Sequence, residues 1–129
     1  MSIDLIVNPW DLDASSLLIW GIVAHLIADW PLQNDWMAKH KANLRHPAGY
    51  VHAGIHGALL AVVFGWVALP LAVAHLLIDT RKPVEFFSLA MRQTQPHGAG
   101  YDIGIEVRIW ADQVWHIACI AVAALVVTA

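Results

Sequence analysis

The chain has 129 residues, 59% of them apolar and 13% charged, with a mean hydropathy of +0.59. A soluble domain of ordinary composition is about 45–50% apolar and about 25% charged, so this excess calls for lipid and the chain reads as one integral membrane domain over 1–129. A formal charge of -3 argues against a nucleic-acid partner, and a single cysteine supports neither an internal disulfide nor a thiolate metal site.

The first segment carries Asp4, Asp11 and Asp13 where a signal peptide requires a basic region, so it reads as an acidic segment outside the membrane. An apolar run free of Asp, Glu, Lys and Arg follows from Ala14 to Ala28. A second extends from Pro47 to Ile78, and a third from Gln113 to the C-terminus. A spanning helix needs roughly 20 apolar residues. The middle run is too long for one helix and suits two short ones, with Gly65 and Pro70 bracketing the break. The sequence thus predicts an all-α fold, a four-transmembrane-helix bundle with helices over about 13–30, 48–65, 68–81 and 104–127. A single helix over 48–80 is the competing reading. Between the helices, NDWMAKHKANLRH (34–46) reads as an interfacial loop. RKPVEFFSLAMRQ (81–93) suits a membrane surface, and PHGAGYDIG (96–104) reads as a linker.

All seven basic residues, Lys39, Lys41, Arg45, Arg81, Lys82, Arg92 and Arg108, fall on one side of four helices. The positive-inside rule makes that side cytoplasmic, with both termini outside. Trp10 and Trp66 then lie at the outer interface, and Trp30, Trp36 and Trp110 at the inner one, as lipid anchors.

Two heptapeptides are nearly identical, VAHLIAD at 23–29 and VAHLLID at 73–79. They fall on helices one and three, which run in the same direction. The simplest account is a duplicated helical hairpin with a pseudo-twofold axis along the membrane normal.

Four polar pairs share the i,i+4 spacing: His25/Asp29, His52/His56, His75/Asp79 and Asp112/His116. Each pair lies on one helix face. Helix direction sorts them into a deep layer of His25, His56, His75 and His116 and a shallow layer of Asp29, His52, Asp79 and Asp112. No Lys or Arg lies within the uncharged runs to balance the carboxylates, and only Arg108 is close to Asp112 in sequence. A bound cation would serve all three. Imidazole with carboxylate suits zinc, manganese or iron, zinc first among them. Eight candidate ligands exceed one tetrahedral site, so either two metals or one metal with supporting partners fits. A lone His in an apolar helix is ordinarily a structural residue, but four such pairs at one depth are harder to explain that way. Haem between two deep His residues is a rival cofactor. Gln113 is a candidate supporting partner and Gln33 a weaker one. His46 reads as an outer ligand or a solvated residue, His40 and His97 as surface residues, and Cys119 as packing.

The segments HLIADWPLQNDWMAKHKA, HLLIDTRK and DQVWH resemble the signatures of domain of unknown function 3307, a family of small bacterial and phage membrane proteins. The family commonly has Asp-Phe where this chain has Asp29-Trp30. The resemblance implies a bacterial inner-membrane location and weight for His25, Asp29, Gln33, His75, Asp79, Asp112, Gln113 and His116. It supplies no reaction.

Two uses of such a site compete. One is metal-dependent hydrolysis of a lipid-linked or membrane substrate at the cytoplasmic interface, with Asp29 or Asp112 as the base. The other is transport of metal ions or protons. A structural or assembly subunit is a third reading. The near absence of polar residues in the outer helix halves favours a one-sided site.

Overall fold

The computed structural model describes residues 12–91 and 105–129. Among the described residues every regular element is a helix: α1 (Ala14–Asp29), α2 (Asp35–His40), α3 (Pro47–Phe64), α4 (Ala68–Asp79), α5 (Lys82–Ala90) and α6 (Ile105–Thr128), with a 3-10 turn at Gly65–Val67. The expected linker at 96–104 and the segment containing Trp10 lie outside the described residues.

Local chemistry sets the ends of these helices. Asp13 caps α1, its carboxylate accepting the Ser16 N–H at 2.7 Å, and that hydrogen bond holds its carboxyl below the usual range. The helix stops at Asp29, two residues before Pro31. Asn34 caps α2 through the Met37 N–H. His46 caps α3, accepting the Ala48 N–H on Nδ1 at 3.2 Å with Pro47 in the first turn. Capping, and stacking on His40 at 4.3 Å between ring centroids, account for His46.

The long apolar run is a hairpin. Gly65, at φ 58 and ψ -132, takes a backbone shape that side-chain-bearing residues avoid. The chain reverses there, and α4 returns antiparallel along α3. A Cβ at Gly57 would lie 3.1 Å from the Ala72 Cβ, and one at Gly49 3.4 Å from Leu76 Cδ1. Such a register excludes a straight helix over 48–80.

α1 packs on α3 and α6, and α4 packs on the same two helices, which places the four in cyclic order α1, α3, α4, α6. The amphipathic α5 lies against α4 and α6, with Phe86 and Met91 exposed. Near the hairpin tip the interior is apolar, with Leu17, Leu60, Phe64, Leu71 and Ile120 at its centre. Toward the other end it is polar. The outer faces are apolar throughout, with Ile19, Trp20, Val62, Leu69, Val122 and Leu125 all exposed. By length and composition two stretches, Pro47–Asp79 and Ile109–Thr128, could cross a membrane, and α1 is a shorter apolar helix.

Candidate metal centre

The four long helices bring their polar pairs to one end of the bundle. Asp29 and Asp79 are the last residues of α1 and α4, while His52 and Asp112 sit near the starts of α3 and α6. All eight sequence-selected residues meet there. The His25, His56, His75 and His116 rings form a layer with centroid separations of 3.5 Å for His56–His75, 4.2 Å for His75–His116 and 5.0 Å for His25–His116. His52 adjoins it, 4.7 Å from His56 and 5.0 Å from His75. Five imidazoles and the carboxylates of Asp29 and Asp79 are buried, and Asp112 is partly exposed. Rings this close leave no space for a haem macrocycle, and the adjoining cavity lined by His25, His75, His116 and Cys119 is no larger than a water molecule.

Asp29 is saturated with donors. His52 Nε2–H and His56 Nε2–H donate to its Oδ1 at 3.1 and 3.0 Å, and Gln113 Nε2 donates to its Oδ2 at 2.9 Å. Gln113 in turn accepts from His25 Nε2–H at 2.9 Å. This network fixes the His25, His52 and His56 tautomers, assigned here from their partners, and makes Gln113 the link between α1 and α6.

The second carboxylate is arranged differently. His116 Nδ1–H donates to the backbone carbonyl of Asp112 at 2.9 Å. The proton is therefore on Nδ1, and Nε2 carries a bare lone pair that faces Asp79 Oδ1 at 3.6 Å. His75 Nε2 lies 3.1 Å from Asp79 Oδ2 but out of hydrogen-bond line. His75 Nε2, His116 Nε2 and Asp79 Oδ1 are all buried without a hydrogen-bond partner. Buried polar atoms in such a state are costly. A bare imidazole nitrogen beside a buried carboxylate is the arrangement a cation relieves.

These three residues form one group whose ligand atoms lie within 4.8 Å of one another, and Asp29, His52, His56 and His75 form a second. The buried cluster could hold a metal ion, and its donor chemistry of neutral imidazole and carboxylate fits a divalent one. Asp112 belongs to neither group. Its Oδ1 has no hydrogen-bond partner among the described residues, while Oδ2 is 3.5 Å from His116 Nδ1.

Lys41 escaped the sequence reading. Its Nζ reaches into the mouth from the loop after α2, 3.4 Å from Asp79 Oδ1, 3.9 Å from Asp29 Oδ1 and 3.4 Å from His52 Nε2. The expectation of almost no basic partner is thus corrected: a loop cation supplies what the apolar runs lack. The signal lies in the motif HKAN (40–43), outside the uncharged runs. Arg108's side chain lies outside the described residues. Gln33 Oε1 is buried and has no hydrogen-bond partner among the described residues.

No curated protein and no solved structure matches the chain. A family model does, described as Protein of unknown function (DUF3307) and matching residues 17–129, and the chain belongs to that family.

Proposed function

We propose that the protein is a four-span membrane protein built from a duplicated hairpin, with a divalent-metal centre opening on its cytoplasmic face, and that it hydrolyses a lipid-linked or membrane-embedded substrate there. The lone pair of His116 Nε2 facing Asp79 Oδ1 carries this reading. Charge supports it. With imidazoles neutral, Asp29 and Asp79 together outweigh Lys41 by one negative charge before Asp112 is considered, and a buried excess of that kind attracts a cation. The repeat supports the duplication: α1 and α4 both end on the Asp of a His/Asp pair and occupy opposite corners of the bundle. Apolar outer faces around a polar interior support the bilayer as solvent.

His75, Asp79 and His116 are the residues that would hold the ion, with zinc the best match to two imidazoles, one carboxylate and an open position. Asp29, His52 and His56 are the candidates for a second ion, or for support if there is only one. A bound divalent ion supplies Lewis acidity and lowers the pKa of water. Asp112 suits the general base: it is outside both ligand groups, partly exposed at the mouth, and its Oδ1 has no hydrogen-bond partner among the described residues. Asp29 is held by three donors and serves better as an anchor than as a proton acceptor.

The apolar half beyond the His layer, centred on Phe64, Leu60, Leu17 and Ile120, favours a one-sided site over a transport path. Basic residues on the mouth side orient it toward the cytoplasm, with both termini outside. The test is purification with elemental analysis, followed by hydrolysis assays on lipid substrates and flux assays in liposomes. Stoichiometric metal with turnover supports the reading. Metal or proton flux without turnover refutes the hydrolase.

A further inference from the structure

We propose that Lys41 is the anion-binding residue of this centre and that the substrate presents a phosphate monoester. The inference rests on the metal reading above and adds a substrate class to it.

Lys41 is set apart from the other basic residues of the mouth side. A positive charge that only sets topology needs to lie outside the membrane, as exposed Lys39 and Arg45 do. Lys41 instead turns inward, its side chain only 16% exposed, among Asp79, Asp29 and His52. Its backbone is fixed from two directions. The Lys41 N–H donates to Met37 O at 2.8 Å. Its carbonyl oxygen lies 2.8 Å from where a Cβ at Gly49 would stand, so only glycine at 49 lets the loop seat on α3. The loop therefore delivers one ammonium to the edge of the metal group and holds it there.

Arg81 adds a second cation at the same edge. It is the described non-glycine residue with positive φ, at 64, two residues after Asp79. Left-handed backbone at a residue that carries a Cβ costs free energy, and such residues concentrate at functional sites. A divalent ion with Lys41 and Arg81 brings four positive charges to a mouth that holds the three carboxylates of Asp29, Asp79 and Asp112, so the loaded centre keeps a net positive charge. These cations suit a dianion with three non-bridging oxygens better than a carboxylate with one charge.

The reaction balances without an oxidant or reductant. Water oxygen bonds to phosphorus, and the phosphorus–oxygen bond to the lipid alcohol breaks. Asp112 takes a proton from the water and returns it to the leaving alkoxide. Lys41 neutralises the phosphate oxygens throughout.

The test is isothermal titration of the zinc-reconstituted parent in detergent, with zinc content measured first. One arm uses inorganic phosphate, the other phosphatidic acid in mixed micelles. Parent protein should bind a phosphate monoester, and Lys41→Gln should weaken binding by roughly ten- to a hundredfold, the loss of one charge-assisted hydrogen bond. Zinc content should be unchanged, and Lys41→Arg should recover part of the affinity. Binding of phosphatidic acid assigns the lipid as the source, while binding of inorganic phosphate alone assigns a soluble one. Zinc-loaded parent that binds neither probe, or Lys41→Gln that binds both as the parent does, overturns this proposal alone. A parent without zinc overturns the metal reading and this proposal with it.

Discussion

His116 Nε2 and Asp79 Oδ1 face each other at 3.6 Å, two buried acceptors with no proton between them. The cause is one hydrogen bond away. The Asp112 carbonyl holds the imidazole proton on Nδ1, which turns the lone pair of Nε2 toward the carboxylate. Metal-ligating histidines are commonly oriented by such a bond from the other ring nitrogen.

Removing a member of that group should remove the metal. His75→Ala, Asp79→Ala and His116→Ala should each lower metal content well below the parent by elemental analysis. His40→Ala should not, because His40 is exposed and stacks on His46 outside the cluster. Retention of metal in all three site variants would mean that the ion is held elsewhere.

Asp112→Asn should separate chemistry from metal binding. The carboxylate lies outside both ligand groups, so metal content should stay at the parent level. Turnover should fall by roughly 10²–10⁴, the usual contribution of a positioned base. Asp29→Asn should instead disturb the cluster, since the amide cannot accept from all three donors as the carboxylate does. Its metal content and thermal stability should both drop. Equal behaviour of the two variants would contradict the division of roles.

Gly21 marks where α1 comes closest to the apolar interior. A Cβ there would stand 2.5 Å from Ile120 Cγ2 and 2.9 Å from Phe64 Cε2. Gly21→Ala should therefore cost about 1–3 kcal/mol through overpacking, read as a lower unfolding midpoint in detergent. Gly54→Ala should be nearly neutral or stabilising, because nothing lies within 4 Å of its Cβ position and alanine is the better helix former.

Topology can be read with an impermeant thiol reagent on single-cysteine variants lacking Cys119. Trp66→Cys at the hairpin tip and Ala129→Cys should label from outside. Asn43→Cys, in the loop beside Lys41, should not. The reverse pattern would invert the protein in the membrane. Labelling of Trp66→Cys and Ala129→Cys from opposite sides would change the number of spans.

Much of this arrangement can be read from the sequence because its parts are local. The i,i+4 pairs declare their own helix face, and helix direction then sorts them by depth. Gly65 announces the hairpin because few other residues take its backbone. What stayed hidden depends on tertiary approach. Lys41 lies in a polar loop with nothing local to separate it from Lys39, and only the fit of that loop on Gly49 turns it inward. The unequal use of the two carboxylates is hidden for the same reason. VAHLIAD and VAHLLID look equivalent, yet Gln113 hydrogen-bonds Asp29 while Asp79 Oδ1 accepts no hydrogen bond and has only the Lys41 ammonium at 3.4 Å beside it.

The central claim is a divalent ion held by His75, Asp79 and His116. The most direct measurement is anomalous scattering at the zinc, manganese and iron edges from crystals of the purified protein. The account predicts a peak roughly 2.0–2.2 Å from His75 Nε2, His116 Nε2 and one Asp79 oxygen, the distances of imidazole and carboxylate ligands to zinc. Metal-supplemented crystals with no peak among these three residues would contradict it.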